Sequence, residues 1–207
     1  MTATSAYAKL SAADETRSSM RRVTKCAAEY ELWLRRGRHV FAVANEGFTA
    51  PTVSIDQVGT SLTNCIEQKS YDGRSMSWLK MPELLFRGQL IEGMFRWAET
   101  GKYSNSFDEN SEKFLNMDKS RKFMPIRQFG MCVVHLDPAN SRAILSGPVA
   151  GDEEVRGYAA LSPTFSQCVA PGETIQFSKS IIEGAVAEGL LVKILEERRA
   201  NAQQSVH

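Results

Sequence analysis

Four cysteines fall into two pairs of nearly equal span, Cys26 with Cys65 and Cys132 with Cys168, 39 and 36 positions apart. Nothing else in the chain restricts its fold as tightly. There is no CxxC, so neither a zinc ribbon nor a thioredoxin-type redox pair is expected. His39 and His135 stand at different offsets from their nearest cysteines, which argues against a Cys–His metal site.

The residues around the pairs recur in order. Met20-Arg21-Arg22-Val23-Thr24-Lys25-Cys26 lies over Ile126-Arg127-Gln128-Phe129-Gly130-Met131-Cys132: apolar, Arg, polar, apolar, two residues, Cys. Val58 and Leu62 precede Cys65 as Leu161 and Phe165 precede Cys168, on one helical face. Each pair is followed by a Phe and then Ile-Glu-Gly, in FRGQLIEG from Phe86 and FSKSIIEG from Phe177. Four landmarks in one order point to an internal duplication, with an insertion in the first copy at roughly 68–80. The bland alternative is chance likeness among amphipathic helices.

The apolar pattern is helical throughout. A helix is expected over 15–43, with Met20, Val23, Ala27, Tyr30 and Leu34 on one stripe. Others are expected over 52–68 and 81–98, the latter opened by Met81-Pro82-Glu83. Gly88 and Gly93 sit inside it, where each costs about 1 kcal/mol relative to Ala, so a close neighbouring helix is expected. In the second copy a helix carries Phe129, Cys132, Val133 and Leu136, and Asp137-Pro138 either breaks it or restarts it with Asp137 as cap. A helix over 153–169 is interrupted at Ser162-Pro163, and a last one runs from a Ser178 cap to about 200 with Ile182, Val186, Leu190 and Ile194 four residues apart. The best strand candidate is 174–177. The expectation is an all-α fold of two similar three-helix units: a flexible 1–16, repeat 1 over 17–99, a connector over 100–125 with a short helix at 106–117, repeat 2 over 126–200, and a flexible 201–207.

Cys132, Asp137-Pro138 with Arg142-Ala143-Ile144-Leu145, and the stretch from Ser166-Gln167-Cys168 to Gln176-Phe177 resemble a family of small exported, cysteine-containing, all-helical alphaproteobacterial proteins of unknown function. The resemblance covers mainly 126–192. The first copy departs from it, with no Asp-Pro after Cys26. It implies export and disulfides and supplies no activity. Duplication independently favours a disulfide in each copy, Cys26–Cys65 with Cys132–Cys168. The swapped set, Cys26–Cys168 with Cys65–Cys132, is also symmetric. Disulfides persist in oxidising compartments, so a periplasmic or secreted protein is expected. Four buried thiols in a cytoplasmic protein are the alternative.

No catalytic, cofactor or metal motif stands out: there is no GxGxxG, Walker loop, GxSxG or HExxH. His135 is three residues from Cys132, but a disulfide would occupy that sulfur. Arg21 and Arg127 are equivalent in the repeat, as are Glu92 and Glu183, and each Arg is expected to pair with its Glu between helices and set their register. Four exposed charges are the alternative. Net charge is +1, so nothing global favours nucleic acid. Arg17, Arg21, Arg22, Lys25, Arg35, Arg36 and Arg38 form a local basic cluster, read as a solvated helix face, with an RNA or lipid headgroup site as the alternative. The functional expectation is a non-enzymatic binding or structural protein of the cell envelope. Its partner, a protein or small ligand, would meet a groove between the halves or Met76 and Trp78 of the insertion. Two alternatives stand beside it: a cytosolic nucleic-acid- or protein-binding protein using the basic face, and an enzyme of unrecognised class.

Overall fold

The computed structural model describes residues 10–35, 37–50, 52–67, 82–101, 107–116, 122–169 and 177–204. These residues form α1 (Ala12–Arg35), α2 (Arg38–Glu46), a 3-10 turn (Gly47–Thr49), α3 (Thr52–Glu67), α4 (Glu83–Ala98), α5 (Phe107–Leu115), α6 (Met124–Leu136), α7 (Pro138–Ser146), α8 (Asp152–Gln167) and α9 (Lys179–Gln204). The described chain is all-α, as the apolar spacing predicts. The strand candidate at 174–177, apart from Phe177, and the insertion with Met76 and Trp78 lie outside the described residues.

Each cysteine pair braces two helices. Cys26 of α1 is bonded to Cys65 of α3, and Cys132 of α6 to Cys168 just past α8, with Cα separations of 5.9 and 5.7 Å. Of the two symmetric pairings, the within-copy set is the one formed. Each unit holds four helices rather than three, α1–α4 and α6–α9. The extra helix arises in the first unit because the expected 15–43 helix breaks at Gly37, whose φ of +76° ends α1 and starts α2. A Cβ there would press against Leu32 and Phe41, so the turn takes glycine for its backbone and its space. In the second unit Asp137 restarts the chain: its carboxylate accepts the Asn140 N–H at 3.1 Å, and Pro138 fills the first turn of α7. Ends differ from expectation too, since α1 begins at Ala12 and α9 runs to Gln204. Helix α8 passes through Pro163 without interruption. Ala159, Ala160, Ser162 and Pro163 are all exposed, so the carbonyl that loses its N–H partner there can turn to water.

The core lies around α4 and α9. Residues 87–95 of α4 and 183–192 of α9 are buried on every side, not along one stripe. The two helices meet where Gly88 faces Gly184, and a methyl added at Gly184 would stand 2.6 Å from the Gly88 Cα. On the outside, α1 lies over α4 and α6 over α9, while α5 bridges α2 and α9. Gly93 meets the Thr24 carbonyl and Ala28 of α1, and Gly130 of α6 abuts the Ala185 backbone of α9. The glycines of α4 thus earn their place through helix approach, as expected. Under the second disulfide, Phe129 packs against Phe177 and Phe165 at centroid distances of 5.1 and 6.0 Å.

These contacts set opposite signs for two glycine substitutions. Gly130→Ala drives a methyl into α9 backbone, which has no side chain to swing away. It should lower the thermal unfolding midpoint by roughly 4–8 °C, for a cost of about 2 kcal/mol after the propensity gain. Gly59→Ala, in α3 with open space around the site, should raise the midpoint by roughly 1–3 °C. Differential scanning calorimetry reads both.

Candidate functional site

Helices α4 and α9, though buried all round, carry charge: Arg87 and Glu92 on one, Glu183 and Glu188 on the other. Desolvating an ion costs several kcal/mol unless a partner is fixed beside it. The partners follow from the glycine contacts. Gly93 sits against the Thr24 carbonyl, two residues before Cys26; Gly189 sits against the Gly130 carbonyl, two residues before Cys132. Gly93 and Gly189 thus make matching contacts, and Glu92 and Glu188 each stand one residue before them. The Ile-Glu-Gly match, which equates Glu92 with Glu183, differs from these contacts by five residues, about 1.4 helical turns. In the corrected register Arg87 stands opposite Glu183 in role, and Gly88 and Gly184 face each other.

At one end of the α4–α9 contact, Arg87 and Glu188 form a bidentate pair, with Nη1 and Nη2 2.7 and 2.6 Å from the two carboxylate oxygens. Arg87 Nε donates to the Ala44 carbonyl at 2.6 Å, and its guanidinium lies over the Phe123 ring, 4.4 Å from the centroid. At the other end two carboxylates, Glu92 and Glu183, come together, and arginines from α1 separate them. Arg21 sets Nε 2.7 Å from Glu92 and Nη2 3.2 Å from Glu183. Arg17 spans Glu183 at 2.5 Å and Glu154 of α8 at 2.6 Å, and reaches Asp14 at 3.0 Å. Arg96 closes on Glu92 through Nε and Nη2, at 3.0 and 2.8 Å, and donates to the Leu145 carbonyl. The second oxygen of Glu154 accepts the N–H of Ala150, a non-glycine residue held at φ 58°. The phenol of Tyr158, with its single proton, has two acceptors in reach, the Lys179 carbonyl at 3.0 Å and Glu183 Oε1 at 3.3 Å.

Arg21 thus pairs with Glu92 as the sequence suggests. Glu183 does not pair with Arg127. It is held by Arg17 and Arg21, because the register shift turns it toward α1 instead of α6. Arg127 donates to the Phe114 carbonyl at 2.9 Å, and its guanidinium lies over the Phe114 ring at 4.9 Å. The basic cluster of α1 is not a uniformly solvated face either, since Arg17 and Arg21 are only 5 % and 8 % exposed. Arg22 and Arg38 are exposed. The residues that sequence reasoning missed are Arg87, Arg96, Glu154, Tyr158 and Glu188; Arg17 is placed by it on the basic face and not among these carboxylates. A signal for the right register was present: glycines five apart in both central helices, Gly88 with Gly93 and Gly184 with Gly189.

The electrostatics single out Glu183. Burial, then the neighbouring carboxylates Glu92 and Glu154, push its pKa up to about 8, against the pull of Arg21 and Arg17. Its Oε2 is buried and has no hydrogen-bond partner among the described residues. For Arg17, burial works against the charge, but Glu183 and Glu154 outweigh it and hold the guanidinium more firmly protonated than usual. Burial also pushes the Tyr158 phenol up, aided by Glu183, so it stays a donor. This network fixes five helices, α1, α4, α7, α8 and α9, against one another. The cysteines offer no nucleophile: all four are in disulfides, which removes the Cys132–His135 idea. Among the described residues no group of three or more His, Cys, Asp or Glu could hold a metal ion, and no helix is long and apolar enough to cross a membrane. Compared with protein-family models, curated proteins and solved structures, the chain matches none.

Two stability measurements probe the network. Arg87→Met leaves Glu188 buried without its partner and should cost about 3–5 kcal/mol in chemical denaturation. Arg87→Met with Glu188→Leu should recover most of that loss, because the uncompensated charge goes with its partner. Glu183 tests the proton. Its folded pKa lies above the ordinary value of 4.5, so between that value and about 8 the folded state holds a proton that the unfolded chain releases. Its contribution to stability is therefore fully present at low pH and is lost as pH rises through that window. Glu183→Gln should flatten the decline of the melting midpoint between those limits; an unchanged slope would contradict the assignment.

Proposed function

We propose that the chain is a non-enzymatic binding or structural protein of the cell envelope, periplasmic or secreted, built from two disulfide-braced units of common origin. The single observation that carries this reading is that every cysteine is spent in a disulfide tying an outer helix of its own unit. In the chain-entropy picture each closure of this size contributes about 4 kcal/mol. That stabilisation persists only where the surroundings keep the bonds oxidised. Common origin is supported by contacts that recur in the two units: the disulfides, the Gly93 and Gly189 approaches, and the matching α1–α4 and α6–α9 packing. The buried carboxylates described above are taken up in ion pairs that hold helices together, which favours a scaffolding role over acid–base chemistry.

The cytosolic alternative, binding nucleic acid through the α1 basic face, loses support because Arg17 and Arg21 already face Glu92, Glu154 and Glu183. Alkylating the thiols of intact cells that make the protein, then fractionating them, tests the compartment. The expected result is protein in the periplasmic or external fraction, unalkylated and lighter by four hydrogens than its reduced form. Cytoplasmic protein carrying four alkyl groups would overturn the reading.

A further inference from the structure

Beside the buried network lies an open cleft of about 330 Å3, within the size range of small-ligand sites. Its lining is cationic: Arg21, Arg22 and Lys25 from α1 and Arg96 from α4, against one carboxylate, Glu29. Pro148 and Val149, from the loop after α7, form the opposite wall, so both units contribute. Two of the cations are held in place. Glu92, fully buried, grips both Arg21 and Arg96 from behind. Arg21 also donates to the carbonyls of Gly147 and Ile144 at 3.1 and 3.4 Å. Arg96 uses Nε and Nη2 in these contacts, and its Nη1 makes no bond among the described residues. The other two cations are uncommitted or nearly so. Arg22 has no hydrogen-bond or ion-pair partner among the described residues, and Lys25 stands 3.8 Å from Glu29 with both side chains about half exposed, a weak pair in water.

From this we propose that the cleft between α1, α4 and the 147–149 loop binds a phosphate group of a small ligand. A surplus of fixed and free cations invites an anion, and the planar, permanently charged guanidinium suits phosphate oxygens. Arginines already oriented by Glu92 lose less freedom on binding than free ones would. The proposal rests on reading the chain as a binding protein. It does not depend on the compartment, so failure here and failure of the envelope assignment are read in separate experiments.

The phosphate has two sources, a free phosphomonoester or a lipid headgroup. Isothermal titration of the oxidised protein with glycerol 3-phosphate and with inorganic pyrophosphate tests the first. Co-sedimentation with phosphatidylcholine vesicles, with and without phosphatidic acid, tests the second. Saturable binding in either arm is expected, weakening as salt rises. Arg22→Ala and Lys25→Ala alter exposed side chains outside the buried network, so each should keep the wild-type melting midpoint. Together they should weaken binding by at least about tenfold. Binding to the free phosphates assigns a small metabolite; binding only to phosphatidic acid vesicles assigns a lipid headgroup. The proposal is overturned if neither arm shows binding, if the doubly substituted protein binds as well as wild type, or if citrate binds as tightly as the phosphates.

Discussion

Charge inside the two central helices is the constraint on which the rest of this molecule depends. Helices α4 and α9 touch through Gly88 and Gly184 and are covered on all sides by other helices. Four ionisable residues on them are thereby removed from water, and each needs a partner at a defined place. Arg87 and Glu188 satisfy each other across the contact. Glu92 and Glu183, both acids, cannot satisfy each other, and they recruit Arg17 and Arg21 from α1 and Arg96 from α4 itself. The position of α1, and through Glu154 that of α8, follows from that need.

The disulfides act on a different part of the problem. Neither joins the two units; each fastens an outer helix to its own neighbour, α1 to α3 and α6 to the end of α8. The units cohere through one shared apolar core, with Leu90, Ile91, Val186 and Leu190 among its members, and glycine contacts and ion pairs fix the register within it. A sulfur bond holds in any register that brings two Cα atoms within reach, whereas a bidentate arginine pair tolerates little displacement. Division of labour of this kind leaves the register of the seam to the bidentate Arg87–Glu188 pair. It also leaves cationic side chains of α1 facing outward beside the carboxylate that anchors their neighbours, which is how a structural network comes to border an open cleft.

How far the sequence could be read is instructive at particular residues. The helical stripe through Val58, Leu62 and Cys65 is enough for the fold class, because periodicity is a local property; the cysteine spacing leaves two symmetric pairings, and only the packing of α1 on α3 and of α6 near the end of α8 decides between them. Gly37 went unnoticed as a breaker, since one glycine among good helix formers carries no mark of the positive φ it will adopt. Pro163 misled in the opposite sense: its effect depends on whether water reaches the freed carbonyl, which is a matter of tertiary exposure. The register of α9 was misjudged because Ile-Glu-Gly occurs at 182–184 while a second Glu-Gly, at 188–189, carries the equivalent contact. Nothing in identity alone ranks the two. The glycine spacing would have, but only once glycine is read as a helix contact. Arg17 and Arg21 resembled a solvated basic face because their carboxylate partners lie far off in sequence.

If buried charge joins the units, α4 and α9 form one cooperative centre. Native-state hydrogen exchange measures this directly. Amides within 88–95 and 184–192 should be the slowest in the protein and should exchange with one common opening free energy, equal to that of global unfolding. If the α9 amides opened at markedly lower free energy than those of α4, the units would be separate bodies and the buried charge network would not be what joins them.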